Sequence, residues 1–156
     1  MVLAGKLITE LGIKTPAEKF FKLFSSELHE VQNACERIHH TKLHEGEDWH
    51  DTDSVKHWTY VIDGEVHTCY DSLEEVDEQN KKLIFKLFGG DIDKHYKVFK
   101  LIIEVIDKGD HAGVKWTVEY EKLNEDIDAP NGWMDYLSKC TRDIDAHLLK
   151  GEKVAL

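Results

Sequence analysis

No apolar run in the sequence approaches the roughly 20 residues that a helix needs to cross a bilayer. The first residues, MVLAGKLITEL, carry charge too early for a secretory signal. Cysteine is scarce: the three residues are widely scattered, which indicates reduced thiols rather than a disulfide framework. We therefore predict a cytoplasmic protein that does not insert into membranes.

Basic residues are fewer than acidic residues in this sequence. The chain has 20 Lys and Arg residues against 31 Asp and Glu residues, and its formal net charge is −11. A protein that tracks a phosphate backbone needs a basic surface, so nucleic acid is not a predicted partner. A length of 156 residues with 41% hydrophobic content predicts one globular domain over residues 1–156.

Clear signatures of metal and catalytic sites are missing. His39, His40, His44 and His50 do not supply three or four convergent zinc ligands, so we interpret them as surface residues and predict no metal and no cofactor. Cys140 has no evident base, which favours buried apolar filling. The acidic residues between positions 63 and 78 fit turns and outward strand faces, and the inward faces show no lysine or acid beyond the rim. We predict no catalytic residue.

The patterns that are present begin with a strand and two helices. Residues 3–13 are predicted to form a strand. Thr15, Pro16 and Glu18 then have the form of a capping box, with Thr15 as the cap and proline at the first helical position. A second short helix is predicted from about Ser26 to Ile38.

From residue 40 onward the apolar residues recur with a period of two, which is typical of strands. The pair Asp63-Gly64 is a tight-turn signal and predicts a hairpin. The strands predicted in this region are Val55–Ile62, Glu65–Val76, Lys82–Phe88, Tyr96–Ile106 and Gly113–Leu123.

A long amphipathic helix is predicted from Pro130 to Lys150, with Gly151 as its stop signal. Its apolar stripe recurs at helical spacing and consists of Trp133, Leu137, Cys140, Ile144 and Leu148. One long helix against strands that are apolar on one face predicts an α+β domain.

The predicted inward face of the sheet is rich in aromatic residues, namely Trp58, Tyr60, Tyr70, Phe85, Phe99, Trp116 and Tyr120. Tyrosine and tryptophan have polar tips, which suit a partly wet cavity better than a dry core. A solid core filled by these rings is an alternative of equal weight.

Several short motifs occur in register along nearly the whole chain, among them Gly5-Lys6-Leu7, Lys14-Thr15-Pro16-Ala17, Leu43-His44-Glu45-Gly46, Ser54-Val55-Lys56, Tyr120-Glu121-Lys122-Leu123-Asn124 and Thr141-Arg142-Asp143-Ile144. Together they resemble the major latex proteins, within the birch-pollen-allergen and class-ten pathogenesis-related superfamily of plants. The resemblance implies a helix-grip fold: a seven-stranded curved antiparallel sheet around the long C-terminal helix, with two short helices after the first strand and an internal cavity. Residues 45–53, with a single glycine among acids, depart from the glycine-rich loop of the pathogenesis-related branch.

The resemblance also implies non-enzymatic binding and carriage of hydrophobic small molecules, such as sterols, flavonoids, hormones or lipids, linked to plant defence and stress responses. One alternative is an enzyme of plant secondary metabolism, an isomerase or a condensing catalyst, that uses the same cavity. Another is an interaction protein whose cavity is incidental. We expect a monomer, with a dimer as the alternative.

The predicted ligand-binding residues are Trp58, Tyr60, Tyr70, Leu83, Phe85, Phe99, Leu101, Trp116, Val118, Tyr120, Trp133, Tyr136, Leu137, Cys140 and Ile144. We expect the mouth of the cavity near Trp133, Tyr136 and Leu137, where a polar connection meets the start of the long helix. Cys140 and Ile144 are expected to lie deeper.

Overall fold

A computed structural model describes residues 3–52 and 54–154, and the predicted loop residue Asp53 lies outside this part. Seven strands form one sheet: β1 Ala4–Ile13, β2 Ile38–Glu45, β3 Val55–Ile62, β4 Glu65–Asp77, β5 Lys82–Phe88, β6 Tyr96–Asp107 and β7 Ala112–Lys122. The helices are α1 Ala17–Ser26, α2 Val31–Ala34 and α3 Asn131–Val154, with a 3-10 turn at Leu28–Glu30 between the first two.

All neighbouring strands are antiparallel, in the order β1-β7-β6-β5-β4-β3-β2. Strands β1 and β2 form the two edges of the curved sheet. The segment that contains α1 and α2 connects them. Helix α3 packs against the inner face, where Trp133, Leu137, Cys140 and Ile144 of its apolar stripe are buried and Leu148 is partly buried. This arrangement confirms the predicted α+β helix-grip fold.

The start of α1 differs from the predicted capping box. Pro16 occupies the N-cap position and no side chain caps the helix. The Thr15 hydroxyl instead donates to Asp145 Oδ1 of α3, at 2.6 Å. Thr15 is buried, and the long-range carboxylate is the stronger acceptor for its hydroxyl.

Two other helix predictions need correction. The segment predicted as a helix from Ser26 to Ile38 contains only the 3-10 turn and the four-residue α2 before β2 begins at Ile38. The long helix does not stop before Gly151 but continues to Val154. A single glycine weakens a helix by about 1 kcal/mol, which is too little to end it by itself.

The β3–β4 hairpin turns at Asp63 and Gly64, which have φ angles of 53° and 79°. Positive φ at both central residues is the geometry of a type I′ turn, as the Asp-Gly pair predicts. The two-residue loop fixes the register, so Ile62 lies opposite Glu65 and Trp58 opposite Cys69. This register decides which β4 side chains face α3.

Asp145 fastens α3 to the junction between β1 and α1. Its carboxylate accepts hydrogen bonds from the Lys14 and Thr15 backbone N–H groups and from the Thr15 hydroxyl. These bonds tie the C-terminal half of α3 to the junction between β1 and α1.

No helix within residues 3–52 and 54–154 is long and apolar enough to cross a membrane.

Candidate functional site

A cavity lies between the inner face of the sheet and α3. Its volume is about 80 Å³, and its walls are almost wholly apolar. Strands β2 to β7 contribute one wall, and α3 contributes the opposite wall. The residues that line it are Phe24, Leu28, Val31, Ile38, Trp58, Tyr60, Cys69, Asp71, Phe85, Leu87, Leu101, Trp116, Trp133, Tyr136, Leu137, Cys140 and Ile144.

Four aromatic rings pack together at the N-terminal end of α3. The Trp133 ring centroid lies 5.0 Å from that of Phe99, 5.2 Å from that of Tyr60 and 5.3 Å from that of Tyr136. Tyr60 and Trp133 also line a second, outer cleft of about 560 Å³. Because both spaces share these two rings, the pair separates the cavity from the cleft.

The outer cleft is strongly acidic. Its wall contains no lysine or arginine among the residues that the structure describes. Besides Tyr60 and Tyr96, its ionisable residues are Asp63, Glu65, His67, Asp91, His95, Asp126 and Asp128. The Asp91 carboxylate accepts from the Thr68 backbone N–H at 2.8 Å, which is the main cause of its lowered pKa. The approach to the rings is therefore an anionic surface.

A polar corner interrupts the apolar wall at β3 and β4. The Trp58 indole Nε1–H donates to Asp71 Oδ1 at 2.7 Å, and Lys56 Nζ lies 3.9 Å from the same oxygen. The Lys56 side chain is fully buried and that of Asp71 is 5% exposed. The prediction that the inward face contains no lysine or acid beyond the rim is therefore wrong.

Burial is the largest cause of the shifted pKa values of Asp71 and Lys56. It raises the pKa of the Asp71 carboxyl to about 6, against the opposing effects of the Lys56 charge and the Trp58 hydrogen bond. Burial also lowers the pKa of the Lys56 ammonium, and the Asp71 charge counteracts that shift. The cavity wall thus holds one carboxyl group that can change its charge close to neutral pH.

The side chains of Tyr60, Tyr136 and Cys69 in the wall are held neutral. Burial is the largest cause of the raised pKa values of the Tyr60, Tyr136 and Cys69 side chains. Deeper in the cavity the Trp116 indole N–H donates to Thr141 Oγ1 at 2.8 Å, and that hydroxyl donates to the Leu137 carbonyl at 2.7 Å. These hydrogen bonds satisfy the polar atoms that β7 and α3 bring into the core.

Ten of the predicted ligand-binding residues line the cavity: Trp58, Tyr60, Phe85, Leu101, Trp116, Trp133, Tyr136, Leu137, Cys140 and Ile144. Leu83, Phe99 and Val118 are buried in the packed core outside the cavity wall. Tyr120 is half-buried and also lies outside the wall.

Tyr70 is placed wrongly by the sequence prediction. It lies opposite His57 on the outer face of the sheet, and its ring contacts those of His44, His57 and Phe88. Its neighbours in β4, Cys69 and Asp71, face the cavity instead.

Seven lining residues were not predicted: Phe24, Leu28, Val31, Ile38, Cys69, Asp71 and Leu87. The hairpin register could have identified Cys69 and Asp71, because a two-residue turn at Asp63-Gly64 places them opposite Trp58 and Lys56. Phe24, Leu28 and Val31 belong to the segment between β1 and β2, and their apolar spacing does not reveal what they cover. Among the residues that the structure describes, no group of three or more His, Cys, Asp or Glu side chains could hold a metal ion.

Comparisons with known proteins agree with this architecture. The model of the pathogenesis-related protein Bet v 1 family matches residues 2–151. MLP-like protein 31 of Arabidopsis thaliana is 37% identical over 153 residues, which cover 96% of this chain and 89% of that protein. The crystal structure of major latex-like protein 151 from Panax ginseng has a TM-score of 0.89 and 36% identity, covering 93% of this chain and 97% of that one.

A norcoclaurine synthase from Thalictrum has a TM-score of 0.76 over 97% of this chain and 98% of its own, but only 15% identity, so it shares the fold alone. The family model and the two closer relatives carry the assignment. The chain belongs to the pathogenesis-related protein Bet v 1 family and, within it, to the major latex proteins.

Proposed function

We propose that this protein binds hydrophobic small molecules in the cavity between the sheet and α3 and carries them without chemical change. The observation that carries the proposal is the almost wholly apolar wall of the cavity, which meets an outer cleft at Tyr60 and Trp133. An apolar cavity gains free energy when an apolar ligand leaves water for it, roughly 25 cal/mol per Å² of buried area. The ligands we propose are sterols, flavonoids, hormones or lipids, and the setting is plant defence and stress response in the cytoplasm.

The test is uptake of a fluorescent apolar probe, followed by displacement with flavonoids and sterols. Saturable binding and competitive displacement are the expected results. Absence of saturable uptake by the folded protein would contradict the proposal. A mass spectrum of the molecules that co-purify from plant tissue would then identify the class of ligand.

Substitution of Leu137 by Trp tests the location. The indole ring fills much of a cavity of about 80 Å³, so we expect probe affinity to fall at least about tenfold. The matched control is Ile8→Trp, which adds the same ring at a β1 position that is 59% exposed. Equal affinity of the two variants would show that the probe binds elsewhere.

One observation favours catalysis as a second candidate function. The Asp71 carboxyl lines the cavity with its pKa raised to about 6, and such a group can exchange a proton with a bound molecule near neutral pH. An isomerase or a condensing catalyst would use it in this way. A metabolite extract incubated with the wild type and with Asp71→Asn provides the test, because a product formed by the wild type alone supports catalysis.

A further inference from the structure

Strand β1 forms one edge of the sheet, and it lacks the features that obstruct the other edge. Its ten residues include no proline and pair with β7 without a bulge. At the other edge, β2 has two register shifts, and the Gln32 side chain accepts a hydrogen bond from the Thr41 backbone N–H at 3.1 Å. Bulges and covering side chains keep an edge strand from pairing with another chain, so β1 is the more open edge.

Half of the backbone groups of β1 point toward this free edge. The Lys122 N–H donates to the Leu3 carbonyl at 2.9 Å, and the register with β7 continues without a shift over the whole of β1. Hydrogen-bonded and non-bonded pairs alternate along an antiparallel ladder, so the odd-numbered residues bond to β7. Lys6, Ile8 and Glu10 turn their N–H and C=O groups outward, and no hydrogen bond from residues 3–52 or 54–154 reaches them.

The side chains of these three residues lie on the outer face of the sheet and form a self-complementary pattern. All three are exposed, Ile8 to 59%. Lys6 stands two positions before Ile8, and Glu10 stands two positions after it. In an antiparallel pair of β1 strands with a two-fold axis at Ile8, Lys6 of each copy therefore lies opposite Glu10 of the partner subunit.

The charges at this edge do not oppose such a contact. Lys6 Nζ lies 3.3 Å from Glu119 Oε1, and Glu10 Oε1 lies 3.2 Å from Lys108 Nζ. Exposed ion pairs of this kind hold their side chains only weakly, so both side chains can also contact an opposite charge across the edge. The charges of β1 sum to zero, although the chain as a whole carries −11. Repulsion between two copies is therefore small where the strands meet.

We propose that two copies of this chain associate through β1 and join their seven-stranded sheets into one continuous sheet with a two-fold axis at Ile8. The outward N–H and C=O groups of Lys6, Ile8 and Glu10 bond to those of the partner subunit. A second copy fits the edge because its β1 offers a glutamate to Lys6 and a lysine to Glu10. This proposal favours the dimer over the monomer that the sequence-based expectation puts first.

Sedimentation velocity of the full chain over a concentration series tests the location of the contact. The wild type should shift from monomer to dimer as the concentration rises. Ile8→Pro removes an N–H that faces the free edge and takes no part in pairing with β7, so this variant should fold. Its dissociation constant should be at least about tenfold higher than that of the wild type. A wild type that stays monomeric up to about 1 mM, or a proline variant that dimerises equally well, would overturn the proposal.

Exchange of charge tests the register. Lys6→Glu and Glu10→Lys each place like charges opposite one another in the dimer, so each should raise the dissociation constant about tenfold. The double variant Lys6→Glu/Glu10→Lys restores opposite charges and should dimerise as the wild type does. An equimolar mixture of the two single variants should form a heterodimer for the same reason. Failure of both the double variant and the mixture to associate would overturn the register.

Lys42→Glu is the matched control, because it makes the same change of charge on β2 at the opposite edge of the sheet. Its dissociation constant should stay within about twofold of the wild-type value. An effect as large as that of Lys6→Glu would show that net charge governs association, against the proposal. Lys6, Ile8 and Glu10 lie outside the cavity wall, so these results do not bear on the carrier function.

Discussion

The charge state of the Asp71 carboxyl gives the cavity a dependence on pH near neutrality. Its ionisation should be visible through Trp58, whose indole N–H donates to it at 2.7 Å. We expect the Trp58 indole resonance to shift with a midpoint of about pH 6, the pKa to which burial raises this carboxyl. The Trp116 indole, which donates to the Thr141 hydroxyl, is the internal control and should stay constant. A Trp58 resonance that does not move between about pH 5 and pH 7 would contradict the assignment.

Ionisation of the Asp71 carboxyl is expected to lower the free energy of unfolding. The folded pKa of about 6 lies above 3.8, the usual pKa of an aspartic acid side chain in water, so protonation of Asp71 favours the folded state. This contribution is complete below about pH 4 and is lost as the pH rises through 6, with a magnitude of up to about 3 kcal/mol. Urea unfolding should therefore show that the wild type loses stability over this range relative to Lys56→Met/Asp71→Leu. A constant difference between the two proteins would be the contrary result.

Single residues also show where sequence reasoning succeeds and fails. Trp58 and Tyr60 were placed correctly because strict alternation in β3 leaves no doubt about which side chains share a face. Tyr70 was placed inward on the strength of its aromatic ring, and Asp71 outward on the strength of its charge. The hairpin register overrides both preferences, because a shift of one residue moves every side chain of the strand to the other face.

Among the elements, α3 is predicted best and the segment between β1 and β2 worst. A stripe repeated over several turns identifies a long helix reliably, whereas α2 has four residues and no comparable periodicity. The capping-box pattern at Thr15 failed for a different reason. Its hydroxyl has a partner 130 residues away in Asp145, and local sequence contains no information about such a contact.

The hydrogen bonds between Asp145 of α3 and the β1–α1 junction should contribute to the stability of the fold. Substitution of Asp145 by Ala removes the acceptor of the Thr15 N–H and hydroxyl, and Thr15 is buried. We expect the free energy of unfolding to fall by about 2–3 kcal/mol because these donors lose their partner. The measurement is urea-induced unfolding.

Asp135→Ala is the matched control on the same helix. The Asp135 side chain is 71% exposed and pairs with Arg37 at 2.8 Å, an exposed ion pair that contributes less than about 1 kcal/mol. If the Asp145 and Asp135 variants were equally stable, the hydrogen bonds at the β1–α1 junction would not be what holds α3 in place.

For the whole molecule, the distribution of charge should govern how a ligand reaches the cavity. The net charge of −11 is not spread evenly, because the cleft outside the rings of Tyr60 and Trp133 contains five carboxylates and no lysine or arginine among the described residues. Such a field repels anions and leaves neutral molecules unaffected. Neither composition nor motifs could place this field in the cleft, because the five acids come from three separate parts of the chain: the β3–β4 hairpin, the β5–β6 loop and the connection from β7 to α3.

The role of this field can be tested by measuring how the association rate constants of a fluorescent fatty acid and of its methyl ester depend on salt. The two probes share the same apolar chain and differ in charge. Salt screens the cleft, with a Debye length of about 10 Å at 0.1 M, so the association rate constant of the acid should rise with salt while that of the ester stays nearly constant. Stopped-flow fluorescence measures both. Charge reduction at the cleft by Asp126→Asn/Asp128→Asn should weaken the salt dependence of the acid, whereas Glu18→Gln in α1, outside the cleft lining, should not. The same salt dependence for the acid and the ester would mean that ligands reach the cavity by a route other than the outer cleft.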